Sequence, residues 1–351
     1  MTSYRAPEIQ CVDLFCGVGG LTHGLCRAGI RVVAGVDVDT QCRFAYESNN
    51  SAEFCEQDIR LISGNELLQL YSGSALKMLS GCAPCQPFSK YSRRRPLAAA
   101  GSMWDLVSEF GRLVREVRPH FVTMENVPQL AQHPVFQELL RDLADYSVSW
   151  EVVECSAYGI PQTRKRLVLL GSVLGPISLA APTAESDEAA TVRRAIGSMP
   201  RLRAGDYALG DRLHAASSLS DLNLRRIKAS KPGGTWRDWD ESLVAACHSK
   251  ASGVSYPSVY GRMEWDRPAP TITTQCFGFG NGRFGHPEQD RAISLREAAI
   301  LQTFPPDYQF VGPGERVRFS VLGRLIGNAV PVRLGEVIGD SVVSHARLQA
   351  N

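Results

Sequence analysis

Residues 80–95 read SGCAPCQPFSKYSRRR, with thiols at 82 and 85, prolines at 84 and 87, and a run of cations behind them. Three kinds of chemistry use such a pair. A redox pair opens a helix, whose N-terminus lowers the thiol pKa, but Pro84 and Pro87 bias Ala83 and Gln86 away from helical backbone. A zinc knuckle needs two more ligands. The only other close pair is Cys11 and Cys16, with no second Cys-x-x-Cys and no His-x-His beside it. The third reading is one nucleophile, Cys85, in an extended loop between prolines, with Cys82 as a buried neighbour at a strand end. Against it stands the ordinary fate of a cysteine, which is an inert place in the core. On the residues alone those last two remain open.

Other segments carry chemistry of their own. VDLFCGVGGLTHGL sets a strand, a turn with Gly17, Gly19 and Gly20, and a helix in sequence, and Asp37 ends the next strand. Glycines let the backbone turn beside a ligand, and an acid at the second strand's tip can bind ribose hydroxyls. Thr22 stands where the dinucleotide motif requires glycine, which argues against nicotinamide or flavin. Asp58 of CEQDIR is a further candidate for an adenine edge, or a turn former. Glu125 of MENV follows an apolar run, at a strand's C-terminal end or as a helix cap. GIPQTRKRLVLLG reads as one strand whose period of two places Gln162, Arg164 and Arg166 on one face. That face is a cationic wall or a solvated edge.

The elements that must hold these groups alternate. IQCVDLF, RVVAGVD, HFVTMENV and RLVLLGS are short apolar strands between helical stretches, which argues for a mostly parallel sheet with helices on both faces. After Gly171 a Pro/Ala/Ser/acid connector, LGPISLAAPTAESDEAAT, marks a boundary. The tail returns to helical spacing, with Leu334, Val337, Ile338, Val342 and Val343 as an apolar stripe. With 351 residues and 44% hydrophobic content the chain can bury a substantial core. Ten cysteines without regular spacing read as reduced thiols. No signal pattern opens MTSYRAPEIQ and no long apolar run follows, so a cytoplasmic protein without a membrane span is expected. Residues 191–270 hold thirteen Lys/Arg against eight Asp/Glu, a candidate surface for a polyanion.

Taken together, DLFCGVGG, VDVD, QDIR, GCAPCQPFS, MENV, QTRKR, RPAPTITT and RLIGNAVP resemble, in order, the blocks of the DNA cytosine-5 methyltransferases. The resemblance runs from about residue 9 to 340, apart from a variable stretch near 180–255. Two departures stand out: Ala83 replaces a common second proline, and Val38 stands where some members carry an adenine-stacking aromatic. The resemblance implies a Rossmann-like, S-adenosylmethionine-dependent fold with a mixed sheet, helices on both faces and a smaller target-recognition domain. Residues 1–175 and 320–351 would form a discontinuous catalytic domain and 176–319 the small domain, with recognition near 180–260.

Roles follow from the same resemblance. Cys85 adds to cytosine C6, Glu125 bonds the N3 and amino edge, Arg166 binds O2, and Arg164 supports the constellation electrostatically. The methyl donor is S-adenosyl-L-methionine, leaving S-adenosyl-L-homocysteine. Its site is drawn from Asp13, Leu14, Phe15, Cys16, Gly17, Gly19 and Gly20 at the first turn. Asp37 and Val38, Asp58 and Ile59, Pro84 and Leu106, and Asn328 and Ala329 complete it, and no metal is implied. Ser89, Lys90, Arg93, Arg94 and Arg95 form a basic loop for DNA phosphates, and Arg225, Arg226 and Arg237 are candidates in the recognition region. Trp236 and Trp239 are expected in the small-domain core. The expected partner is double-stranded DNA, met by a monomer in a bacterial or phage-infected cell. A cognate restriction endonuclease is functionally linked without being required. Two rivals share the scaffold: a tRNA cytosine-5 methyltransferase, which typically carries Cys-Phe-Thr where this chain reads QCFGFG, and a catalytically silent DNA-binding relative.

Overall fold

The structure is a computed structural model that describes residues 7–84, 98–182, 190–248 and 258–350. The chain divides into two compact units: residues 1–154, 165–182 and 330–351, and residues 155–164 with 183–329.

The first unit is built on strands β1 (Ile9–Leu14), β2 (Arg31–Asp37), β3 (Glu53–Glu56), β4 (Leu76–Gly81), β5 (Phe121–Asn126), β6 (Ser147–Glu154) and β8 (Lys165–Ser172). They form one mixed sheet in the order β3-β2-β1-β4-β5-β8-β6. The first five pair in parallel, whereas β8 runs antiparallel to both β5 and β6. Helices α1 (Gly20–Arg27), α2 (Arg43–Asn49), α3 (Gly64–Leu70), α4 (Ala98–Val117) and α5 (Pro134–Asp142) fall between the strands. Strand β1 is buried at all six positions, as a central strand covered on both faces must be. The chain runs outward from β1 to β3, then restarts at β4 on the other side. The strand order thus reverses between β1 and β4, and ligands of such sheets bind outside the carboxyl ends at that point.

The tail is two helices, Phe319–Asn328 in the second unit and Val332–Gln349 in the first, separated around Pro331. The sequence reading put the return to the first unit at 320; in the structure it comes at Val330. Of the apolar stripe, Leu334, Val337, Ile338 and Val342 are buried. The helix Val332–Gln349 meets α1 backbone to backbone. A Cβ at Gly24 would lie 2.3 Å from the Val332 carbonyl oxygen, and one at Gly335 2.9 Å from that of Leu21. Neither backbone can yield without parting the helices. Gly24→Val is therefore expected to lower stability by about 1–3 kcal/mol, the usual cost of overpacking. Thermal unfolding checks this, and an unchanged midpoint would contradict the packing.

The second unit holds short helices and two-residue pairings, among them β7 (Gln162–Thr163) beside Ala269–Pro270. Trp236, Trp239, Val259 and Phe279 form one of its cores, with Tyr260 packed against it. Arg291 and Glu297 are fully buried and joined by two bonds of 2.7 Å. The burial is tolerable because both carboxylate oxygens and the guanidinium fork are matched. No described helix is long and apolar enough to cross a membrane.

Candidate active site

The turn after β1 is set by backbone conformation. Phe15, Gly17 and Gly19 have φ of 59°, 52° and 84°, all left-handed. Gly17 meets that demand without strain, and the space its Cβ would enter is empty of atoms within 4 Å. The Gly17 N–H donates to Asp37 Oδ2 at 2.9 Å, and Asp39 N–H to Asp37 Oδ1 at 2.9 Å. The second strand's acid thus braces the turn while each oxygen keeps an acceptor position. Burial pushes the Asp37 carboxyl up from its ordinary value. Phe15 is half-buried against the core, and Val38 is 69% exposed. The cradle, the acid and the exposed apolar wall suit an adenosine-type ligand. Leu14, Cys16, Gly20 and Ile59 are buried, so it is mainly their backbone that can face such a ligand. Leu106 is half-buried against the core, and Pro84 is exposed. Asp58 accepts the Arg60 N–H at 3.0 Å and pairs with its guanidinium at 3.0 Å, which is the turn-forming role. Asn328 and Ala329 end the helix Phe319–Asn328, in the second unit.

Asp13 sits beneath the turn, 1% exposed. Thr22 Oγ1 donates to it at 2.7 Å and Ser80 Oγ at 2.8 Å, which ties β1 to α1 and β4. Its side chain braces the fold and is not offered to a ligand. Burial pushes its carboxyl up to about 6, against the two hydroxyl donors that favour the charge. Since the folded state holds this proton more tightly than the unfolded chain, Asp13 contributes stability in full below about 3.8 and loses it as pH rises through about 6. Relative to Asp13→Asn, the protein should gain up to about 3 kcal/mol as pH falls from about 7.5 to about 4. Urea unfolding across that range checks it, and a difference independent of pH would contradict it.

The second cluster lies at the far end of β4 and β5. Because β8 is antiparallel to β5, its first residues lie beside β5's last: Glu125 pairs with Val168 and Asn126 with Leu167. Arg166, two residues before Val168, is a diagonal neighbour of Glu125 on the same face. Its Nε lies 2.7 Å from Glu125 Oε1, at an angle that makes an ion pair and leaves Oε1 without an aligned hydrogen-bond donor. Glu125 is 2% exposed. Its other oxygen, Oε2, accepts from the Cys82 thiol at 2.9 Å. Asn126 Nδ2 donates to the Ala83 carbonyl at 3.1 Å and so pins the segment that leads to residue 85. Cys85 itself lies outside the described residues, as do Ser89, Lys90, Arg93, Arg94 and Arg95.

These two clusters occupy the carboxyl edge of one sheet. A family model described as C-5 cytosine-specific DNA methylase matches residues 9–344. The chain belongs to that family. It is a DNA (cytosine-5-)-methyltransferase. Over 336 residues, spanning 94% of each chain, the methylase is 54% identical to the type II methylase M.HgiDII of Herpetosiphon aurantiacus. It is 30% identical over 344 residues to the type II methyltransferase M1.HphI of Haemophilus parahaemolyticus, across 96% of this chain and 87% of that one. The crystal structure of a prophage-encoded DNA modification methyltransferase of E. coli shares the fold, with a TM-score of 0.68 and 22% identity over 96% of this chain and 99% of that one.

Two expectations about this methylase need correction. The reading of 159–171 as one strand fails at Arg164, which separates β7 from β8. Arg164 falls in the second unit and Arg166 in the first. Arg164 is 3% exposed, and its guanidinium donates to the carbonyl oxygens of Ile272 at 3.1 Å, Ala329 at 3.4 Å and Gly327 at 3.5 Å. Its observed work is to hold the second unit together. Arg226, expected to face DNA, is 8% exposed. It donates to the Leu243 carbonyl at 2.8 Å and lies over Trp239 and Tyr260 at 5.7 and 5.3 Å. Arg225 and Arg237 are exposed, Arg237 over the Trp236 ring at 5.5 Å. Trp236 and Trp239 belong to the core, as expected.

Two features of the site escaped the sequence reading: the thiol contact to Glu125, and the Thr22 and Ser80 donors to Asp13. Each joins strands or helices by register, so spacing along the chain carries no signal for it. Among the other cysteines, burial pushes the Cys11 and Cys16 thiols well up and that of Cys276 to about 12, which keeps them protonated and inert.

Proposed function

We propose that Cys85 is the nucleophile, that Glu125 and Arg166 stabilise the base it attacks, and that the turn at 15–19 with Asp37 holds S-adenosyl-L-methionine. The single observation behind this is the buried Glu125–Arg166 pair, set at the carboxyl edge of the sheet beside the segment that leads into Cys85.

Cytosine C5 is too weak a nucleophile to take a methyl group unaided. The Cys85 thiolate adds to C6, the C5–C6 electron pair moves toward C5, and negative charge spreads to O2 and N3. Arg166 meets the charge at O2, and Glu125 shares a proton with N3 while accepting from the amino group. The bound donor supplies an electrophilic methyl group. Once C5 carries the methyl, its proton leaves to a base or water, the C6–S bond breaks, and Cys85 departs as thiolate. Phe15 and Val38 would cover the two faces of the donor's adenine, and Asp37 would bind its ribose.

A duplex hides C6, so the target cytosine is flipped out of the stack. Lys90 and Arg93 to Arg95 would hold phosphates during that step, and the exposed Arg225 and Arg237 would be further candidates for contacts to the duplex. The relatives' names point to a type II modification role on a specific sequence, with a cognate endonuclease linked in function but not required. The methylase would work as a cytoplasmic monomer. Methyl-labelled S-adenosylmethionine incubated with varied duplex DNAs tests the reading, and bisulfite sequencing of DNA from expressing cells names the site. Label in duplex DNA at one recurrent sequence is expected. Label in tRNA alone, or in neither, would overturn it.

A further inference from the structure

We propose that Cys82 is a positioning residue for Glu125, an inference that rests on the catalytic reading of that carboxylate. The terminal torsion of a glutamate is broad, so packing alone does not fix the plane of its oxygens. Here the plane is held from both sides. Arg166 Nε stands 2.7 Å from Oε1, and the Cys82 thiol donates to Oε2 at 2.9 Å. Cys82 is itself anchored, since its backbone N–H donates to the Leu14 carbonyl at 3.3 Å and continues the register of β4 along β1. The following carbonyl, that of Ala83, is held by Asn126. The thiol therefore comes from a rigid strand end.

The chemistry of the donor matters as much as its place. A thiol is a weak hydrogen-bond donor. It orients the carboxyl group while leaving it able to take or share the proton that cytosine N3 requires. The Cys-x-x-Cys spacing would thus join two functions: Cys85 attacks the ring, and Cys82, at the end of β4, holds the group that receives the resulting charge.

Steady-state kinetics of Cys82→Ala, Cys82→Val and Cys82→Ser test this, with thermal midpoints measured alongside. Alanine and valine should lower kcat about tenfold, the scale of one lost hydrogen bond to a charged group, and leave KM for DNA and donor within about twofold. Serine, which keeps an O–H donor, should recover kcat to within about threefold of the parent. In a Glu125→Gln background, Cys82→Ala should add little further loss, because the two residues act as one unit. Parental kcat in both alanine and valine variants would overturn the proposal. So would a serine variant as slow as alanine, or a loss confined to stability and KM. Glu125→Gln separates the two levels. If it too is fully active, the catalytic reading has failed; if it is inactive while Cys82→Ala is normal, only the positioning role has.

Discussion

Cys85→Ser is expected to abolish turnover, with kcat falling by about 10⁴-fold or more, the scale seen when a covalent enzyme loses its nucleophile. A serine hydroxyl has nearly the same shape as the thiol but stays protonated at neutral pH and is a harder nucleophile, poorly matched to carbon C6 of a pyrimidine. Donor and DNA binding should persist, since neither the glycine turn nor the basic segments are altered. Four of the described thiols are poorly suited to take over. Cys11, Cys16 and Cys276 are buried and held protonated, and the Cys82 thiol is bonded to Glu125. Single-turnover methyl transfer measured beside DNA binding separates chemistry from affinity. Activity within tenfold of the parent would remove Cys85 from the mechanism.

Glu125→Gln is the second large loss, about 10²–10⁴-fold in kcat. Glutamine keeps the size of the side chain and can bond the amino edge of cytosine, so KM should change little. It cannot share a proton with N3, and it leaves Arg166 without its 2.7 Å ion-pair partner. An interaction made only as charge develops on the ring shows itself in kcat. If KM rose and kcat held, Glu125 would be a binding group and the charge-stabilising role would fall.

The strands at the site were legible because the sheet is covered on both faces: β1, β2, β5 and β8 each read as a nearly continuous apolar run ending in a polar signal. The turn at Gly17 and its brace Asp37 were legible for a physical reason that spacing preserves, since a left-handed turn and a strand-tip acid must sit at set offsets. Arg164 and Arg226 were misjudged because an arginine's fate depends on carbonyls and rings far along the chain. Ile272, Gly327 and Ala329 receive the first; Leu243, Trp239 and Tyr260 receive the second. The Cys82 contact was equally hidden. It spans forty-three residues and depends on β4 and β5 ending side by side. Without that register Cys82 is a bystander; with it, the thiol touches the carboxylate.

The most direct measurement is covalent trapping on duplex DNA that carries 5-fluorocytosine at the methylated site. Fluorine in place of the C5 hydrogen blocks the elimination that would release the enzyme, so the adduct persists after methyl transfer. With S-adenosylmethionine present, peptide mass spectrometry of the trapped complex should place the base on Cys85, and Cys85→Ser should form none. An adduct on Cys82, or methyl transfer that proceeds with no adduct at all, would contradict the account.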